Sequence, residues 1–256
     1  MFDTIEVSAE GARGRLTLAR PEALNALSTH TLREIARAAR WFDDQSEVRV
    51  VVVSGQGRAF SAGADVKAFV PTEGPADPRA DADAGRLAAD ALERMAAVTI
   101  ARLHGWCVGG GVVMAAACDL RIAADNTRFS IPEVDLGIPL AWGGIPRLVR
   151  EIGPAATKEL VMTCREFDAL EAHRLGFLNR VVPEADLDAA VDDSAATIAA
   201  KPWLAITSTK RHVNAVTDGM VQMGRSWSDA DGLLAGLRDP EGRNSALAYL
   251  ERLRRR

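Results

Sequence analysis

Residues 105–123, GWCVGGGVVMAAACDLRIA, decide the fold. They read as a strand that runs into Gly109, Gly110 and Gly111, leaves as a small-residue helix and returns to a strand. Successive glycines let a backbone approach another group closely. A helix that opens on them presents N–H groups with no partner inside the helix, at the positive end of its dipole. The first helical turn supplies only Val112, Val113 and Met114. This is a backbone cradle with apolar side chains beside it.

On the N-terminal side, TIEVSAEGARGRLTLAR (4–20) alternates apolar and polar residues about a glycine turn and predicts two strands. STHTLREIARAARWFDDQ (28–45) opens with a Ser/Thr cap and places Leu32, Ile35, Ala36 and Ala39 at helical spacing. VRVVVVSG (48–55) is a continuous β-branched run, the pattern of a strand buried on both faces. PTEGPADPRADADAG (71–85) is rich in Pro, Gly, Asp and Ala and predicts a loop, with a helix over 86–97 and a strand at TIARLHG (99–105). On the C-terminal side, two short strands flank Asn126, GGIPRLVREIGPAATKELVMT (143–163) reads as helix, and the chain beyond about 185 is almost wholly helical, broken at Pro202 and at Asp239-Pro240. Recurring strand–strand–helix units predict an α/β layered core over 1–184 and a helical region over 185–256.

Composition narrows the function classes. The 256 residues are 48% hydrophobic, and 31 basic against 35 acidic residues give a net charge of -4, so no broad basic field invites nucleic acid. No apolar run approaches the length of a membrane span, and the first residues lack a signal-peptide layout. Cys107, Cys118 and Cys164 lack metal spacing and cannot all pair, which fits a reducing cytoplasm; Cys107 and Cys118 read as inert core thiols. The histidines at 30, 104, 173 and 212 lie far apart, so no metal site is expected.

Five stretches occur together, in order: RPEALNALS (20–28), GRAFSAGADVK (57–67), the glycine stretch, FSIPEVDLGIPLAWGG (129–144) and EAHRLGFLNRVV (171–182). Together they resemble the enoyl-CoA hydratase/isomerase (crotonase) superfamily over most of the chain. The resemblance implies an α/β spiral of ββα turns with a C-terminal helical trimerisation region, assembly as a homotrimer or dimer of trimers, and an acyl-CoA thioester substrate. It implies no separate cofactor, since coenzyme A is part of that substrate. It places the thioester carbonyl between the backbone N–H groups of Ala64 and Gly110, an oxyanion hole for the enolate that forms when the neighbouring carbon loses a proton. Ala23, Leu24, Ala26, Ala62, Asp65 and Val66 would line the coenzyme A channel, with Trp106, Gly109 and Pro132 beside the cradle. Lys210 and Arg252 read as solvated helix charges rather than as phosphate partners.

Hydratases of this family use two carboxylates. The first belongs where this chain has Val113, and the second falls on Glu133, whose neighbours Pro132, Ile131, Val134 and Leu136 suit a raised pKa. One carboxylate can still move a proton from C2 to C4 of a 3-enoyl thioester, so the expected activity is double-bond isomerisation with Glu133 as base. The alternatives are a hydratase with an atypical site and a non-catalytic acyl-CoA-binding protein. Trp142 departs from the small residue usual at its position, and either floors the acyl pocket or packs in the core.

Overall fold

The computed structural model describes residues 1–65 and 77–254. Strands β1 (Ile5–Glu10) and β2 (Arg13–Leu18) form the expected antiparallel pair about Gly11. Helix α1 (Thr29–Asp43) starts where Ser28 accepts the N–H of Thr31, and buries Leu32, Ile35, Ala39 and Phe42 along one stripe. β3 (Val50–Gly55) is the valine run, and Val50 through Val53 are all buried.

Helix α2 (Pro78–Arg94) corrects the loop expected to 85 and the helix expected over 86–97. Asp77 caps it through the N–H of Ala80, and Pro78 occupies the first turn, where a missing N–H costs nothing. The Asp-Pro pair that looked like loop composition is a helix start. Residues 71–76 of that stretch, like Val66, lie outside the described residues.

β4 (Val98–Leu103), β5 (Trp106–Val108), α3 (Gly110–Ala116), β6 (Leu120–Ala124) and β7 (Arg128–Ser130) follow the sequence reading. α4 (Gly144–Thr163) is broken inside at Gly153, whose φ of 75° and following Pro154 interrupt the single helix expected there. β8 (Phe167–Asp168), α5 (Ala169–Arg174) and β9 (Arg180–Val182) lead into α6 (Leu187–Ala199), α7 (Trp203–Val221), α8 (Asp229–Arg238) and α9 (Pro240–Arg254).

Among the described residues, one sheet runs β1-β2-β3-β4-β6-β9, parallel from β2 onward, and a smaller one runs β5-β7-β8. Two turns of the spiral, β4-β5-α3 and β6-β7-α4, give one strand to each sheet before passing into a helix. The core lies between the large sheet and helices α1 to α4, while Leu187, Ala190, Val191 and Ala195 of α6 pack on its other face against Val50, Val52 and Ile100. Cys107 and Cys118 are core thiols; burial pushes both up, Cys118 to about 12.

Two expectations for the helical region are corrected. Lys210 is no solvated charge: it is 8% exposed, and its Nζ donates to Asp119 at 2.7 Å and to the Ala97 carbonyl at 2.9 Å. The sequence also offers Trp203, Leu204, Leu233, Leu234 and Leu237 as apolar residues in need of a partner subunit; Leu233 is instead buried within its own chain, and Leu237 packs against the same core. By contrast Val213, Val216 and Met220 of α7, at i, i+3 and i+7, are exposed. No helix among the described residues is long and apolar enough to cross a membrane.

Candidate active site

Three segments running in the same direction end side by side, and the site lies where they end. β5 pairs in parallel with β7, bringing Val108 opposite Ser130, and Ser61 bridges Cys107 in parallel on the other side. Chain direction therefore delivers Ala64, Gly110 and Glu133 to one place just past the strand ends. Ligands bind at this edge in parallel sheets generally. Gly109 donates to the Ser130 carbonyl at 2.9 Å, tying the glycine turn to the strand that leads into Glu133.

Ala64, Gly110, Val113, Glu133 and Trp142 all line one cavity of about 20 Å³. The N–H groups of Ala64 and Gly110 donate no hydrogen bond among the described residues. Ala64 is held by its neighbours instead: Leu27 donates to Gly63 at 2.8 Å and Asp65 to Leu27 at 3.1 Å. Gly110 opens α3, which is only seven residues long, so it contributes a free donor more than a large macrodipole.

Glu133 is 8% exposed, and its Oε2 has no hydrogen-bond partner. Burial lifts its carboxyl from 4.5 to about 7, opposed by its own backbone N–H. Gly109 is a glycine for this carboxylate: its φ is 47°, and a Cβ there would collide with Oε1 and stand 3.1 Å from Cδ. Pro132 is buried immediately before Glu133. Val113 is buried in the same cavity, which leaves one carboxylate among its lining residues.

A second space of about 520 Å³ opens beside the first, between α1, α2, α8 and α9. Leu27, Leu32, Leu136, Leu233 and Leu237 give it apolar walls, and Ala64, Asp65 and Trp142 also border it. Ala23, Leu24, Ala26 and Ala62 form the adjoining loop rather than its lining. Ala62 donates to the Leu24 carbonyl at 2.8 Å, Arg20 binds both the Ala26 carbonyl and Asp65, and buried Asn25 binds the carbonyls of Gln56 and Ala59. Trp106 starts β5 with 38% of its surface exposed and is not among the residues lining either space.

Sequence reasoning missed Arg238 and Arg243, which border the larger space; basic residues on either side of the Asp239-Pro240 break were the available signal. Arg252, by contrast, pairs with Asp135 at 3.0 Å. It also missed a grouping of Asp3, His30 and Glu34, because Asp3 joins the His30–Glu34 pair from β1's approach rather than from local spacing. Glu34 already accepts hydrogen bonds from Asp3, Thr4 and Arg37.

The Enoyl-CoA hydratase/isomerase family model matches residues 10–255. Crotonyl-CoA hydratase of Syntrophomonas wolfei is 35% identical over 256 residues, covering 98% of this chain and 96% of that one. A Mycobacterium tuberculosis protein named "Probable enoyl-CoA hydratase echA8" is 37% identical over 225 residues, 87% and 86% of the two chains. The crystal structure of an enoyl-CoA hydratase from Mycobacterium avium subsp. paratuberculosis superposes with a TM-score of 0.87 over 95% of this chain and 98% of that one, at 24% identity, a likeness of fold.

Proposed function

Since the chain belongs to the enoyl-CoA hydratase/isomerase family, we propose that it shifts the double bond of an enoyl-CoA, with Glu133 as the single base. Glu133 takes a proton from C2 of a 3-enoyl thioester. The C–H electron pair enters the conjugated system, and negative charge develops on the thioester oxygen. The N–H groups of Ala64 and Gly110 receive that oxygen; one such donor is worth about 3–4 kcal/mol of transition-state stabilisation. Glu133 then returns the proton at C4, and the product is the 2-enoyl thioester. A carboxyl near 7 suits both the removal and the return of a proton at neutral pH.

The observation that carries this reading is Val113, which stands in the same cavity as Glu133 and can neither hold nor orient a proton. The pantetheine arm runs through the larger space, whose walls are rich in leucine, and Arg238 and Arg243 meet the phosphates at its border. No separate cofactor enters the reaction, and the setting is the cytoplasm. The exposed face of α7 packs against further copies in a trimer-based assembly; light scattering that finds a monomer at micromolar concentration would refute this.

A second reading, hydration of a 2-enoyl-CoA, is favoured by the relatives' names and by a cavity with room for about one water. Absorbance of the conjugated enoyl thioester separates the two. It rises when a 3-enoyl-CoA is isomerised and falls when a 2-enoyl-CoA is hydrated. We expect the rise; hydration at an ordinary enzymatic rate without isomerisation would overturn the proposal.

A further inference from the structure

We propose that Trp142 is a fixed wall that limits this site to thioesters of short acyl groups; the inference rests on the acyl-CoA reading above. The indole lies between two helices that carry glycine where it touches them. A Cβ on Gly85 of α2 would fall well inside contact distance of Cγ, Cδ2 and Cε2 of the ring. A Cβ on Gly110 would overlap Cζ3 and stand 2.9 Å from Cε3. Neither glycine has a left-handed φ, so space for the indole, not backbone conformation, excludes a side chain at both. Glycine inside a helix is unfavourable relative to alanine, and at Gly85 the ring contact is what the glycine makes possible.

The ring borders both the larger space and the small cavity that holds Glu133. Its backbone is pinned from several sides. Trp142 and Gly143 are consecutive left-handed residues, with φ of 61° and 71°. Fully buried Arg147 donates to the Trp142 carbonyl at 3.1 Å and to the Gly143 carbonyl at 3.3 Å. Arg147 is itself held by Asp90 at 2.8 Å and Glu93 at 2.6 Å, and the Gly143 N–H donates to Asp229 of α8 at 2.8 Å. Groups on α2, α4 and α8 thus fix the corner, and the indole acts as a wall rather than a swinging lid.

With the thioester carbonyl in the cradle, the acyl carbons face the small cavity that Trp142 borders, and its 20 Å³ leaves no room for a long chain without movement of the wall. A butenoyl group has the carbons that the proton shift requires and little beyond them. Each further methylene must displace the ring, and one methylene in a tight pocket changes specificity by about tenfold or more.

The test compares kcat/KM for straight-chain enoyl-CoAs from butenoyl to decenoyl in wild type and in Trp142→Gly, a substitution that accepts the positive φ without strain. In wild type, kcat/KM should fall by about 100-fold or more with each added pair of carbons, and in Trp142→Gly the octenoyl-to-butenoyl ratio should rise at least about tenfold. Equal turnover of octenoyl and butenoyl thioesters by wild type overturns the proposal, as does an unchanged profile in a folded variant. If the variant does not fold, the wild-type profile decides alone. Calorimetry with butyryl- and octanoyl-CoA, which cannot react, makes the same comparison without turnover. Failure of both to bind wild type refutes the acyl-CoA reading and this proposal with it, whereas binding with no dependence on length refutes the wall only.

Discussion

Replacing Glu133 with glutamine should raise stability at high pH while destroying activity. The carboxyl sits at about 7 in the folded chain against 4.5 for the free group, because burial disfavours its charged form. Between those values the folded state holds a proton that the unfolded chain has released. The contribution of this group is therefore favourable or neutral at low pH and is lost as pH rises through the window. At roughly 1.4 kcal/mol per unit, ionising it in place costs about 3 kcal/mol above neutrality. Glutamine keeps the shape and does not titrate, while the other ionisable groups titrate alike in both proteins. The stability difference between variant and wild type should thus shift in favour of glutamine by about 2–3 kcal/mol from about pH 5 to about pH 8. Guanidinium denaturation at both pH values measures it. In the same variant the isomerisation rate should fall by about 10²–10⁴, and in wild type kcat/KM should climb with pH through about 7. A stability gap that does not change with pH would show that Glu133 is not a desolvated carboxyl, and an undiminished rate would remove it as the base.

Val113→Glu puts a second carboxylate in the cavity of Glu133 and should raise hydration of a 2-enoyl-CoA at least about tenfold; no gain would argue that more than one residue separates the two chemistries. Gly110→Ala drives a methyl group into the Trp142 ring and should lower kcat/KM by about 10²–10³ through displacement of the proposed oxyanion donor. Adding Trp142→Gly to that variant should recover part of the loss, and a strictly additive double mutant would deny the contact. Lys210→Met leaves Asp119 without its cation and should cost about 3 kcal/mol, read from the denaturant midpoint; an unchanged midpoint would mean that the pair is effectively solvated.

Much of the frame was legible because it is written in neighbours along the chain. The valine run of β3, the Ser28 cap of α1 and the three glycines before α3 each act within a few residues, and each structured the segment it predicted. Glu133 stood out for the same reason, a carboxylate among Ile131, Pro132 and Val134. Local signals also misled. The Pro- and Asp-rich approach to Gly85 reads as loop until Asp77 is seen capping the helix, and Lys210 reads as solvent-facing until Asp119 and the Ala97 carbonyl are found beside it. Trp142 shows the limit most clearly. The sequence left two readings open for it, floor of the acyl pocket or plain core, since no periodicity around residue 142 encodes what its ring will meet. Its contacts come from Gly85 and Gly110, and its corner is held by Arg147 and Asp229. Those residues lie on four different helices, α2, α3, α4 and α8. Only the folded chain brings them together, through the parallel pairing of β5 with β7 and the packing of α8 on α2. The sequence supplied an indole and two glycines; tertiary packing decided that they meet at the cradle.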